Sequence, residues 1–212
     1  QQFSLRGSTQ LTTHSPLKCM AKISTELMKK ITINAPDGYP LSALLGEPEI
    51  SPLGTIVISA ATGIRKEFYI NFAKFLISNH YCVLLYGYRG IGGSAPADLR
   101  TSRTYMHEWG TQDMNAVLDY LVNDQGLTGI IWLGHSIGAQ LIGLVEKKGH
   151  VRKMISINAA VGYWGYFPYP MKFVVWILWY IIGPLLIKVY GYGVMKSIGW
   201  GENLPRNVIL EW

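Results

Sequence analysis

The stretch GIIWLGHSIG, residues 129–138, joins a short continuous apolar run to a G-x-S-x-G pattern. Such a run is too short for a helix and lacks polar alternation, so it reads as a strand buried on both faces. Ile137, Leu141, Leu144 and Val145 then take helical spacing. Gly134-His135-Ser136-Ile137-Gly138 therefore sits where a strand hands over to a helix. A serine at that bend holds strained backbone with its hydroxyl exposed, and glycines two residues to either side let strand and helix approach. The helix start adds free N–H groups and a partial positive charge beside a developing oxyanion.

Working outward, the same alternation recurs. KITIN (30–34) and LSALL (41–45) are short strands flanking the turn Pro36-Asp37-Gly38. TIVIS (55–59) and CVLLY (82–86) are further buried strands, and KMISIN (153–158) closes the series. Phe68, Phe72, Phe75 and Leu76 share one helical face, and so do Met114, Val117, Leu118 and Leu121. Strand–helix–strand repeats imply right-handed crossovers, hence an α/β fold with a mostly parallel sheet and helices on both faces. Ligands in such sheets bind beyond the carboxyl ends of the strands, after residues 59, 86, 133 and 158.

Three segments together resemble the α/β-hydrolase superfamily, over about residues 30–212: ISAATGIRKEFYINFAKFL (58–76), YGYRGIGGS (86–94) and GHSIGAQ (134–140). The likeness is to its little-characterised branch of predicted serine hydrolases and esterases, and it implies an eight-stranded sheet and acyl transfer through a serine ester. By that resemblance Ser136 is the nucleophile, and the backbone N–H of Ile137 is one oxyanion donor. The other comes from the loop after 55–59, at Ile64 or, next, Gly63. His135 is a packing or pocket residue, because neighbours at such a bend point apart. Gly87 stands where the family's D-x-R-G-x-G-x-S segment has Asp, which leaves Arg89 without an obvious carboxylate. Gly90-x-Gly92-x-x-Ala95 also suggests a phosphate loop, but Pro96 follows and no helix starts there, so nucleotide binding is not expected.

A serine nucleophile needs a base, and the superfamily's chain order is Ser, then Asp or Glu, then His. After Ser136 the sole histidine is His150, which opens the next strand and so belongs at the far side of the sheet. Glu146, on the helix after Ser136, and Glu202 and Glu211 are the later acids, and none sits in a strand-end loop with a histidine downstream. Two explanations stand: a chain that stops before the acid and histidine, or a non-catalytic member that kept the fold.

Composition bounds the alternatives. The 212 residues are 49% hydrophobic and only 15% charged, which excludes a disordered or coiled-coil chain. Two cysteines, Cys19 and Cys82, are too few for a disulfide framework, so a reducing, cytoplasmic setting is expected. Of the formal charge of +6, residues 1–30 hold five bases against Glu26, and the rest carries 14 bases and 12 acids. No basic face for nucleic acid follows. No metal or cofactor is expected.

Residues 1–27 read as a non-native extension without function, 28–158 as the core, 159–195 as an apolar lid and 196–212 as the start of a further core element. Trp164, Tyr166, Phe167, Tyr169, Trp176 and Trp179 in the lid favour an apolar acyl substrate. The uncharged run 173–187 is short of the roughly 20 residues of a membrane span, and Pro184 should kink it. The alternative of another class is a hydrolase-fold protein that binds a membrane surface or lipid through this lid.

Overall fold

The computed structural model describes residues 27–212, so the expected extension lies, but for Leu27, outside the described residues. Six strands form one sheet in the order β1-β2-β4-β3-β5-β6. They are β1 (Met28–Asn34), β2 (Pro40–Gly46), β3 (Gly54–Ser59), β4 (Tyr81–Tyr86), β5 (Ile130–His135) and β6 (Val151–Ile157). β1, β2 and β4 pair antiparallel, and β4, β3, β5 and β6 run parallel. This is the expected α/β-hydrolase architecture, with six strands among the described residues where the resemblance implies eight. In register, Ser59 pairs with Gly134 and His135 with Ile157. The residues following β3, β5 and β6 therefore meet at one edge.

The core fills both faces of β3, β4 and β5, where Val57, Val83, Leu84, Ile130 and Trp132 are fully buried. Helix α1 (Ile70–Ser78) covers the sheet with a different face from the expected one. Phe68 and Phe75 are 72% and 59% exposed, whereas Tyr69, Ala73 and Ile77 are buried. Both stripes have the helical period. What selects the second is the Tyr69 hydroxyl, which finds partners inside, and Gly46, whose missing side chain leaves the space that Ile77 fills.

Helix α2 (residues 109–124) buries Met114, Val117, Leu118 and Leu121 as its spacing predicts. After Ser136, α3 (Ile137–Gln140) tightens into a turn at Leu141–Leu144, and Val145 is extended. Glu146 thus follows that helix rather than lying on it.

The apolar run is longer than expected. Helix α4 is continuous over Met171–Tyr190, 20 residues, because a wider turn at Leu178–Ile182 precedes Gly183-Pro184 and accommodates the N–H that proline lacks. Gly191, at φ 82°, ends it. The chain returns through a bridge between Gly193 and Leu204 into α5 (Arg206–Glu211), where Leu204 and Val208 are buried.

Candidate active site

Ser136 has φ 53° and ψ −117°, a region that L-residues rarely occupy and that costs about 1–3 kcal/mol to hold. Its surroundings enforce it. The Ser136 N–H donates to the Ile157 carbonyl at 2.8 Å, which pins the bend to β6. A Cβ on Gly134 would lie 2.4 Å from the Ala139 nitrogen, and one on Gly138 would lie 2.3 Å from the Ser59 carbonyl oxygen. Both glycines of the pattern are thus required by contact. The Trp132 indole donates to the Gly138 carbonyl at 3.0 Å and fixes the start of α3. Ser136 is half-buried and lines a cavity of about 920 Å³. The Ile137 N–H, at the first helical position, has no acceptor within its helix.

Across the cavity mouth, Ala61-Thr62-Gly63-Ile64 is a tight turn with Gly63 at φ 70°. Here one expectation is corrected. The Ile64 N–H donates to the Ala61 carbonyl at 3.0 Å and closes the turn, so it is not aimed at the serine. Thr62 is the turn residue that lines the cavity with Ser136. Among the described residues, Thr62 and Gly63 carry no hydrogen bond from their N–H groups.

A residue that the sequence did not single out joins the two halves. The Tyr69 hydroxyl accepts the Ala61 N–H at 3.2 Å and lies 2.8 Å from His135 Nδ1. Burial raises the pKa of this phenol against the opposing Ala61 hydrogen bond, so it stays protonated and can give its proton to Nδ1. His135 thus positions a turn, in keeping with the expected packing role.

Arg89 is not orphaned by Gly87. Its Nε lies 2.6 Å from Asp113 Oδ1, its backbone N–H donates to Asp113 Oδ2 at 2.8 Å, and its guanidinium reaches Asp37 at 2.7 Å. A Cβ on Gly87 would lie 3.1 Å from Ser94 Oγ, a tight contact, and α2 supplies the carboxylate instead. Burial pushes the Asp113 carboxyl up to about 7 against the pull of Arg89. The nearby glycines are packed rather than open: Gly90 lies against Pro205 and Gly92 against Arg65. That leaves no phosphate cradle.

Of the expected lid aromatics, Trp164 and Trp179 line the cavity, while Tyr166, Phe167 and Trp176 lie at the surface, with Tyr166 77% exposed. None of the described histidines hydrogen-bonds the Ser136 hydroxyl. His107 Nδ1 is 2.7 Å from Glu211 Oε1, and the second oxygen of Glu211 accepts the Met106 and His107 N–H groups. Burial works to raise Glu211, but these partners outweigh it and hold the carboxyl below its ordinary range. His150 precedes β6, at the end of the sheet opposite Ser136. Among the described residues no group of three or more metal-ligating side chains occurs.

The model of the serine aminopeptidase S33 family matches residues 51–193, more than half of the chain. No curated protein matches it. Among solved structures it is similar to an α/β serine hydrolase without lid from Xanthomonas campestris, at 17% identity and TM-score 0.50, over 68% of this chain and 65% of that one. It is also similar to an esterase from Pyrococcus furiosus, at 19% identity and TM-score 0.53, over 71% and 60% of the two chains. A thermostable carboxyl esterase from Bacillus coagulans, in complex with glycerol, is similar at 15% identity and TM-score 0.52, over 82% and 55%. The chain thus spans less than two thirds of the length of each of these, and the likeness is one of fold. The chain belongs to the Hydrolase_4 family (serine aminopeptidase, S33), within the α/β-hydrolase superfamily.

Proposed function

We propose that this protein is a serine hydrolase that cleaves an ester, thioester or amide through an acyl-enzyme on Ser136. The observation that carries the reading is the positive φ of Ser136 between two glycines that have no room for a side chain. A nucleophile elbow requires such strained backbone and such close approach of strand and helix, which supports the reading. Ser136 Oγ attacks the carbonyl carbon, and the oxyanion takes hydrogen bonds from the Ile137 N–H and from the Thr62-Gly63 turn. Removing one such donor costs about 3–4 kcal/mol of transition-state stabilisation. The tetrahedral adduct expels the alcohol, thiol or amine with a proton, and water then releases the acid and restores Ser136.

The cavity selects the acyl group. Trp164, Trp179, Ile182, Leu186 and Ile187 line it beside Ser136, and an apolar wall of that kind favours an acyl chain over a charged one. With no described histidine at Ser136, its proton is left to solvent. Oxyanion donors and binding alone leave about 10³–10⁴-fold over water, so residues 1–212 turn over slowly.

Hydrolysis of p-nitrophenyl esters of increasing acyl length tests the reading. A slow rate that rises with chain length and disappears in Ser136→Ala supports it. A rate unchanged by Ser136→Ala overturns it.

A further inference from the structure

The proposed reaction does not explain the outer side of helix α4. The helix is 20 residues long with mean hydropathy 1.9, yet only 6% of its most apolar stretch is buried. Of its residues, Ile187 alone is fully covered. Phe173, Val174, Ile177, Ile181, Leu185 and Val189 are each 41% or more exposed. At 100° per residue these positions fall within an arc of about 160°, one continuous apolar side of the helix. An amphipathic helix of a globular protein keeps a polar face towards water, and this one has none.

Three further observations say what covers it. From residue 159 to residue 201 the chain holds Lys172, Lys188 and Lys196 and not one acidic residue. Lys172 and Lys188 stand near the two ends of the helix, where long stems let ammonium groups reach out of an apolar layer. Exposed tyrosines bracket the helix, with Tyr163, Tyr166 and Tyr169 before it and Tyr190 at its end, as in the aromatic belts found at lipid–water boundaries. A groove on a protein partner would cover such a side too, but it would call for neither lysines nor tyrosines at the two ends. A lipid layer with anionic headgroups matches the apolar side, the aromatic ends and the lysines at both ends together.

The helix lies along such a surface rather than crossing it, because both ends are tied to the same domain. Before it, the Gln140 side chain donates to the Ala160 carbonyl at 2.5 Å. After it, Gly193 and Leu204 exchange backbone hydrogen bonds. Its inner side, through Leu178, Trp179, Ile182 and Leu186, forms a wall of the cavity that holds Ser136.

We infer that α4 docks the protein on an anionic lipid surface, lying in the interfacial plane with its outer residues among the acyl chains. The docking stands on the helix alone. That the cavity then receives a lipid acyl chain rests on the reading of Ser136 as nucleophile.

The test is flotation of the full 212-residue chain with phosphatidylcholine vesicles, with and without phosphatidylglycerol, together with quenching of tryptophan fluorescence by brominated lipid. Expected are co-flotation that requires the anionic lipid, quenching of tryptophan emission, and the same binding by Ser136→Ala. Each of Lys172→Gln and Lys188→Gln should weaken binding about fivefold, and Val174→Glu with Ile181→Glu should abolish it while circular dichroism stays unchanged. A wild-type chain that neither floats nor is quenched overturns the docking. So does a chain whose sedimentation shows a dimer broken by the same two glutamates, since a second copy would then be the occupant. Binding that survives while Ser136 proves inert overturns only the assignment of the acyl chain.

Discussion

The Tyr69 hydroxyl stands 2.8 Å from His135 Nδ1 while accepting the Ala61 N–H, so one phenol ties the turn after β3 to the residue before Ser136. In the proposed reaction these two elements converge on a carbonyl oxygen, and the bridge ties one to the other. Tyr69→Phe removes both bonds and keeps the ring. We expect a stability loss of about 1–2 kcal/mol in urea and a fall in the rate of Ser136 acylation of about tenfold or more. A rate equal to wild type, in a variant with that stability loss, would make the bridge merely structural.

Gly138→Ala puts a methyl 2.3 Å from the Ser59 carbonyl oxygen, where backbone faces backbone and nothing flexible can yield. The expected loss is about 3 kcal/mol, read as a lower urea midpoint. Gly143→Ala, a few residues on, meets nothing within 4 Å and is the matched control. It should change stability by less than about 1 kcal/mol.

Asp113 has a folded pKa of about 7, above its unfolded value of 3.8, because burial outweighs the pull of Arg89. Its folded form therefore holds a proton that the unfolded chain releases first. Its contribution to stability is greatest below the unfolded value and declines as pH rises from about 4 to 7, then stays level. Urea midpoints measured across that range should fall more steeply for wild type than for Asp113→Asn. Equal slopes would mean that Arg89 keeps the carboxylate ionised throughout.

The strands and the bend were legible because their signals are local. Buried strands write continuous apolar runs, and G-x-S-x-G between a strand and a helix has few other uses. The face of α1 was not legible, since Phe68, Phe72 and Phe75 share the period of Tyr69, Ala73 and Ile77, and only the distant partners Ala61, His135 and Gly46 decide between them. The Asp113 partner of Arg89 was hidden for the same reason: the carboxylate stands not at position 87 but on a helix, 24 residues on from Arg89, keeping the contact while losing the motif. Ile64 misled because family spacing locates a residue but not where its N–H points. The unbroken α4 depended on a widened turn before Pro184 that no single-residue preference announces.

The central claim is that Ser136 Oγ is a nucleophile held beside oxyanion donors. Its most direct measurement is labelling of the folded 212-residue chain with a fluorophosphonate, read by peptide mass spectrometry, with imidazole added as an external base. The account predicts one modified serine, Ser136, with a labelling rate that rises with imidazole concentration and no label in Ser136→Ala. A folded chain that leaves Ser136 unmodified at every imidazole concentration, or that is labelled equally in Ser136→Ala, would contradict it.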